Sequence, residues 1–433
     1  MIDDARALLA TGPLCDPCLG RPFADRSFGL TNAERGKAFR VTAAMDDDEP
    51  YDPPEPDACW VCEGQCDRYD EWADRVVDAL DGVDFATYQV GTRVPPLVEE
   101  NDRLLREDAG MDPEAGELFK SAFNREVGKR VGRATGTEVD FERPDVVALL
   151  NLERGDVDVQ VNPAFVYGRY RKLERGIPQT EWPCRECGGS GVQLGDDGEE
   201  DCDHCGGSGY LYEDSVEELV APHVRDAMDG TEAVFHGAGR EDVDARTLGN
   251  GRPFVVEVKE PRTRRPDLDE LAAAIDDAAA DRVEVEGLRL ATHGMVERVK
   301  EHPASKTYRA QVEFARPVDP ADLAEAVPTL DGATIEQYTP ERVDHRRASR
   351  TRTREVYAID AAPGDDGRTA TVEVHGEGGL YIKELIHGDE GRTDPSLAGL
   401  LGVDAEVTAL DVTGVEGEDE PFEDPDYFVE DEE

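Results

Sequence analysis

One eight-residue pattern occurs twice in this chain: Cys184-Arg-Glu-Cys187-Gly-Gly-Ser-Gly and Cys202-Asp-His-Cys205-Gly-Gly-Ser-Gly. Such a pair restricts the fold, because the four thiols belong to one local unit. Two Cys-x-x-Cys turns can set four sulfurs tetrahedrally about Zn²⁺ at about 2.3 Å, and four sulfur ligands leave no open position for water. Fourteen residues separate the pairs, and Asp196-Asp197-Gly198 between them is the expected hairpin turn. Cys184, Cys187, Cys202 and Cys205 are therefore predicted to form a structural zinc ribbon. Cys15, Cys18, Cys59 and Cys62 supply two more Cys-x-x-Cys pairs across a forty-residue gap. Pairing by elimination makes them a second structural zinc site and leaves Cys66 as the odd thiol, a free one or a competitor of Cys62. In a reducing compartment such pairs are metal ligands rather than disulfides.

Charge narrows the class further. The 433 residues carry a net charge of −52, which ordinarily argues against a nucleic-acid partner. Only eight of the 47 basic residues are lysine, and the acid is spread along the chain. That pattern fits a halophilic, salt-loaded cytoplasm, where screening confines self-repulsion to about 3 Å near 1 M salt. Against this background, basic islands are informative. They are Arg169, Arg171, Lys172 and Arg175; then Arg252, Lys259, Arg262, Arg264 and Arg265; then Arg342, His345, Arg346, Arg347, Arg350, Arg352 and Arg354. Local positive charge on an acidic chain points to phosphate contacts. No apolar run is long enough to span a membrane, and the acidic start Met1-Ile-Asp-Asp lacks the apolar core of a signal peptide. A cytoplasmic protein is expected.

The length allows two to four domains. Residues 1–75 read as a zinc-binding segment. Helical spacing covers Phe28–Met45 and Tyr69–Leu80, with a Pro/acid loop between. Residues 76–180 read as a small α+β domain, with strands near Phe85–Val94, Val146–Leu152 and Val157–Val161 and a helix near Pro113–Gly132. Residues 181–212 hold the ribbon as an insertion. Residues 213–413 alternate strands and helices in a mixed, mainly antiparallel sheet; Ser215 and Glu218 form a capping box at one helix start. Residues 414–433 read as a solvated acidic tail.

The functional stretch begins at His236-Gly-Ala-Gly-Arg-Glu-Asp242 and runs to Phe254. A short apolar run meets a glycine-rich turn that carries Arg240, Glu241, Asp242, Asp244 and Arg246. Read alone, each acid is solvated surface. Gly-Arg-Glu-Asp242, however, resembles the Gly-Arg-x-Asp motif of pseudouridine synthases. The longer string resembles the archaeal branch with an N-terminal THUMP domain that modifies uridines 54 and 55 of tRNA, the Pus-ten family. Three further blocks are similar to the same branch: Phe165-Val-Tyr-Gly-Arg-Tyr-Arg-Lys172 onward, Lys306-Thr-Tyr308, and Gly379-Leu-Tyr381-Ile382-Lys383 through Pro395. Gln337-Tyr-Thr-Pro-Glu-Arg342-Val-Asp-His345-Arg346-Arg347 matches its basic block.

The resemblance implies roles. Asp242 is the nucleophile. Tyr308 stacks on the uracil and serves proton transfer. Ile382 packs against the base, and Lys383 pairs with the catalytic carboxylate and keeps it ionised. Leu410 closes the pocket, and Arg240 orders the flipped nucleotide. Arg342, His345, Arg346 and Arg347 grip the RNA backbone, with Arg169, Arg171 and Lys172 in the THUMP signature. The implied partner is tRNA at its T loop and acceptor end, and the protein is read as a monomer. Isomerisation requires no organic cofactor. The competing reading is a non-catalytic zinc-containing tRNA-binding or chaperone protein. The repeated Cys-x-x-Cys-x-Gly-x-Gly does resemble the DnaJ zinc module, but that module uses four copies, and no His-Pro-Asp triplet is present.

Overall fold

The computed structural model describes residues 1–195, 198–340, 348–418 and 420–429. Its chain forms two compact units: residues 1–163 with 260–264, and residues 164–259 with 265–433.

The first unit has one core. Leu8, Leu19, Trp72, Val76, Leu105, Phe119, Phe123 and Leu150 are all buried in a single cluster. The predicted border near residue 75 is therefore absent, because Trp72 and Val76 lie inside the core that also covers the sheet. Helices Tyr69–Ala79, Pro96–Asp108 and Phe119–Thr135 are present; the helix predicted at Pro113–Gly132 starts later and ends later. The sheet holds β1 (Thr87–Arg93), β2 (Glu138–Val139), β3 (Val146–Asn151) and β4 (Asp156–Val161), in the order β2-β1-β3-β4. The helix Asn32–Asp46 begins at Thr31, which makes a capping box with Glu34. Residues 260–264 return to this unit, where Arg264 pairs with Asp145 at 2.9 Å.

The second unit is built on a ten-stranded sheet with a separate two-stranded ribbon. The chain order is β5 (Ala164–Lys172), ribbon strands β6 (Val192–Gly195) and β7 (Gly198–Asp201), β8 (Glu232–Gly237), β9 (Arg246–Lys259), β10 (Val283–Ala291), β11 (Ala304–Phe314), β12 (Thr334–Tyr338), β13 (Thr351–Pro363), β14 (Thr369–Gly376), β15 (Thr393–Asp394) and β16 (Ala405–Gly417). The sheet runs β10-β5-β9-β16-β11-β14-β13-β12-β15, with β8 also on β9. Every pair is antiparallel except β9 with β16, which makes the mixed, mainly antiparallel sheet expected.

Two boundaries differ from the sequence reading. β5 lies between β9 and β10, so the second unit starts at Ala164 rather than after residue 180. The reason is burial on both faces: all but one of its nine residues are buried. A side chain at Gly168 would strike Leu288 and Phe254, within 2.5 and 2.9 Å. Residues 420–429 are not a free tail either. Phe422 is fully buried, and Phe428 bridges Ala291.

Candidate active site

Asp242 stands on the excursion between β8 and β9, two strands paired over Glu232–Gly237. Backbone freedom is needed at both ends. Gly239 has φ +72°, and an added Cβ would lie 3.1 Å from Lys306 Nζ; at Gly249, φ +60°, it would lie 2.0 Å from the Thr413 carbonyl oxygen. The excursion thereby lies close against β11, and the start of β9 close against β16.

A cavity of about 310 Å³ opens there. Arg240, Glu241, Asp242, Arg252, Lys306, Tyr308, Tyr381, Ile382 and Leu410 contribute to its wall. The sequence reading named Asp242, Tyr308, Ile382, Leu410 and Arg240, which are 170 positions apart at the extremes, and the fold gathers all five. Tyr308 of β11 sits opposite Val412 of β16, and Leu410 opposite Ala310, so the central ladder presents them together. Ile382 opens the helix Ile382–His387. Its entry is fixed by Gln337, fully buried, which donates to the Tyr381 carbonyl at 2.8 Å and accepts from the Tyr381 N–H at 2.8 Å. Lys383 Nζ lies 3.7 Å from Asp242 Oδ2, but only 2.8 Å from Asp244 Oδ2. Asp244 was named only as part of the charged turn, because a second acid two residues on reads as surface.

The residues behind the loop correct the reading of the THUMP signature. Lys172 is fully buried and Arg169 nearly so, and neither can reach a phosphate. Arg169 pairs with Glu423 at 2.6 Å and donates to the Val415 carbonyl at 3.1 Å, and Tyr167 donates to Glu423 at 2.9 Å. Lys172 donates to the Ile177 carbonyl at 2.7 Å and to the Val243 carbonyl at 3.2 Å. Arg171 is a third exposed and pairs with Glu284 at 2.9 Å. These cations are drawn inward because β5 is an interior strand. Arg342, His345, Arg346 and Arg347, and the turn residues Asp196 and Asp197, lie outside the described residues.

Two cysteine foursomes have atoms within 4.8 Å of one another and could hold a metal ion. Cys184, Cys187, Cys202 and Cys205 are the expected ribbon set. The N–H groups of Gly191 and Gly209 bond to the sulfurs of Cys187 and Cys205 at 3.3 and 3.2 Å. Burial pushes the Cys187 thiol up, but backbone N–H groups of Gly191 and Gly189 outweigh that and hold it at about 6. The other foursome differs from the expected one: it is Cys15, Cys18, Cys62 and Cys66. The chain turns between Cys62 and Cys66 through the short helix Gln65–Asp67, which brings Cys66 to 3.9 Å from Cys18. Cys59 is fully buried beside them, its thiol lowered by hydrogen bonds from Cys15 and Cys18. Arg21 donates to Cys18 Sγ at 3.1 Å and pairs with the buried Asp102, which also takes Arg106 at 2.9 Å.

Comparison with known proteins decides the family. The model described as "Pus10, C-terminal" matches residues 165–416, more than half of the chain, and "Pus10 THUMP domain, archaeal" matches residues 72–151. The chain belongs to the Pus10 family. Its C-terminal match begins where the second unit begins. The "tRNA pseudouridine synthase Pus10" of Halorubrum lacusprofundi is 66% identical over 99% of this chain and 100% of that one. The proteins of the same name from Methanothrix thermoacetophila and Pyrococcus furiosus are 43% and 36% identical, over 96% of this chain in each case and 95% and 98% of theirs. The Pus10 chain is an isomerase, as its relatives are. Among solved structures, "Crystal Structure of a Cbf5-Nop10-Gar1 Complex" aligns with 46% of this chain and 45% of its own, at 21% identity and TM-score 0.30. No helix among the described residues is long and apolar enough to cross a membrane.

Proposed function

We propose that this chain converts uridine 55, and also uridine 54, in the T loop of tRNA to pseudouridine. The N1–C1′ bond breaks, the uracil turns within the cavity, and a C5–C1′ bond forms while the C5 proton is lost and N1 gains one. Nothing is oxidised and no group enters or leaves. Asp242 is the nucleophile. Lys383 faces that carboxylate at 3.7 Å. Tyr308 faces the base and serves the proton transfer at C5, while Ile382 and Leu410 exclude water from the detached ring. The target nucleotide leaves its stack at a cost of about a few kcal/mol. Arg240 orders it, and Arg171, Arg342, His345, Arg346 and Arg347 meet phosphates from the T loop to the acceptor end.

Both cysteine foursomes are read as structural Zn²⁺ sites, since four thiolates suit a closed tetrahedral metal. The chain is read as a monomer of a salt-rich cytoplasm. What carries the reading is the convergence of Asp242, Tyr308, Ile382 and Leu410 on one cavity, with Lys383 at its edge. The test is Asp242→Ala on unmodified tRNA in molar salt, with pseudouridine mapped by position. Loss at both positions with tRNA binding retained is expected. Undiminished conversion would overturn the assignment, and conversion elsewhere would overturn the positions.

A further inference from the structure

One buried carboxylate beside the nucleophile has no part in the chemistry above. The Glu241 side chain is 1% exposed. Arg252, itself 1% exposed, places Nε 2.9 Å from Glu241 Oε2, and the fully buried Lys172 places Nζ 3.7 Å from Oε1. Tyr170, also fully buried, donates its hydroxyl proton at 3.0 Å. An isolated buried carboxylate is costly, so such a group persists only where partners hold it in its charged form. Here they do. Burial alone would raise the Glu241 carboxyl, and Arg252 and Lys172 outweigh it, so it lies below its ordinary range.

The partners of Glu241 have a second task. Arg252 Nη1 donates to the Ala238 carbonyl at 2.7 Å. Lys172 Nζ donates to the carbonyls of Asp242 and Val243 at 3.4 and 3.2 Å. Gln179 donates to Tyr170 Oη at 2.9 Å and to the Gly239 carbonyl at 2.9 Å. The loop backbone is thus held at Ala238, Gly239, Asp242 and Val243, on both sides of the nucleophile, by groups that meet at one carboxylate.

We infer that Glu241 is a positioning residue for the isomerisation: its buried charge locks Lys172, Arg252 and Tyr170 in place, and they in turn fix the backbone from which Asp242 projects. The inference rests on Asp242 being the nucleophile. It assigns Tyr170 and Lys172 of the β5 signature a role in catalytic geometry instead of RNA contact. It also explains why the residue between Arg240 and Asp242 carries a charge that is buried among two cations and a tyrosine hydroxyl.

The experiment is single-turnover conversion of unmodified tRNA by Glu241→Gln at rising enzyme concentration, in molar salt. Gln keeps the shape and removes the charge. The plateau rate is expected to fall about thirtyfold or more, the scale on which displacement of a reacting group by about 1 Å acts. Half-saturation should stay within about threefold, because no phosphate contact is touched. Glu241→Asp, which keeps the charge and shortens the reach, should recover part of the rate. A plateau within about threefold of the parent, with only thermal stability reduced, overturns the inference, since misfolded molecules raise the apparent half-saturation and leave the plateau rate of the folded ones unchanged. Should Glu241→Gln not fold, Tyr170→Phe carries the same test: a fall in plateau with unchanged half-saturation supports the inference, and no fall overturns it. If Asp242→Ala is inactive while these plateaus hold, only this inference fails; if Asp242→Ala is active, the functional reading fails first.

Discussion

Lys383 Nζ lies 2.8 Å from Asp244 Oδ2, nearer than the 3.7 Å to Asp242, the proposed nucleophile. One cation is shared by two acids, and solvent and salt screen its attraction to the more exposed of them. Asp244 is 67% exposed and Asp242 33%. Removal of the competitor should therefore matter less than removal of the cation. Asp244→Ala should lower initial rates on unmodified tRNA by less than about tenfold, and Lys383→Met by at least about a hundredfold. Equal losses in the two variants would show that Asp244 itself takes part in the reaction.

Acid should unfold the second unit through specific carboxylates. Glu241 lies below its ordinary range despite its burial, because of Arg252 and Lys172. Asp411 does too: burial raises it, but Arg246 and Arg175 outweigh that. A folded pKa below the unfolded value contributes stability that is present above the unfolded value and lost as pH falls through the folded one. The thermal midpoint in molar KCl should thus be level from about pH 8 to 5 and drop below about pH 4. Asp411→Asn should make that acid limb shallower. A midpoint already falling between pH 7 and 5 would point to other groups.

The candidate site was legible in the sequence because its motifs are local strings whose side chains line one cavity. The ladder of β11 with β16 brings Tyr308 and Leu410 together, and the β8–β9 excursion and the helix opened by Ile382 add Asp242 and Ile382. One misreading came from taking charge as exposure. Arg169 and Lys172 looked like an RNA grip, and in fact each finds carboxylate and carbonyl partners inside the sheet. Sequence spacing does not reveal such partners, since Glu423 is 254 residues from Arg169. The border at residue 180 was misplaced for a related reason. β5 is continuous in chain with the first unit but is hydrogen-bonded only to strands of the second. Cys66 stood second to Cys59 because Cys-x-x-Cys spacing was counted first, whereas a short helix delivers a thiol four residues on from Cys62 as well.

The first unit should depend on Asp102. Its carboxylate is 5% exposed, pairs with Arg21 and Arg106, both fully buried, and accepts the Phe119 N–H at 2.8 Å. Removing one partner from a buried ionic network leaves uncompensated charge, at a cost of about 3–5 kcal/mol. Asp102→Ala should lower the urea midpoint accordingly and loosen the cysteine cluster that Arg21 contacts. A shift under about 1 kcal/mol would mean that water reaches the arginines.

Metal content separates the two possible foursomes at the first cysteine cluster. With Cys15, Cys18, Cys62 and Cys66 as ligands, Cys66→Ser should lose one metal relative to the parent and Cys59→Ser should lose none. Cys187→Ser should also lose one, from the ribbon. Native mass spectrometry of the intact chain reads all three directly. Loss from Cys59→Ser with retention in Cys66→Ser would restore the set first expected from the Cys-x-x-Cys pairs.

The last residues should stabilise the fold. Phe422 is fully buried beside Tyr167, Met295 and Val415, and Glu423 joins Tyr167 to Arg169. Removing a buried phenylalanine costs about 3–5 kcal/mol through lost transfer energy and the cavity left behind. Phe422→Ala should thus lower the thermal midpoint of the second unit. Glu423→Gln should lower it less, because the pair is partly solvated and screened by salt. Plateau rates on tRNA should stay near the parent value at temperatures where the protein is folded, since neither residue lines the cavity. An unchanged midpoint in Phe422→Ala would return this segment to the solvated tail that its acidic composition suggests.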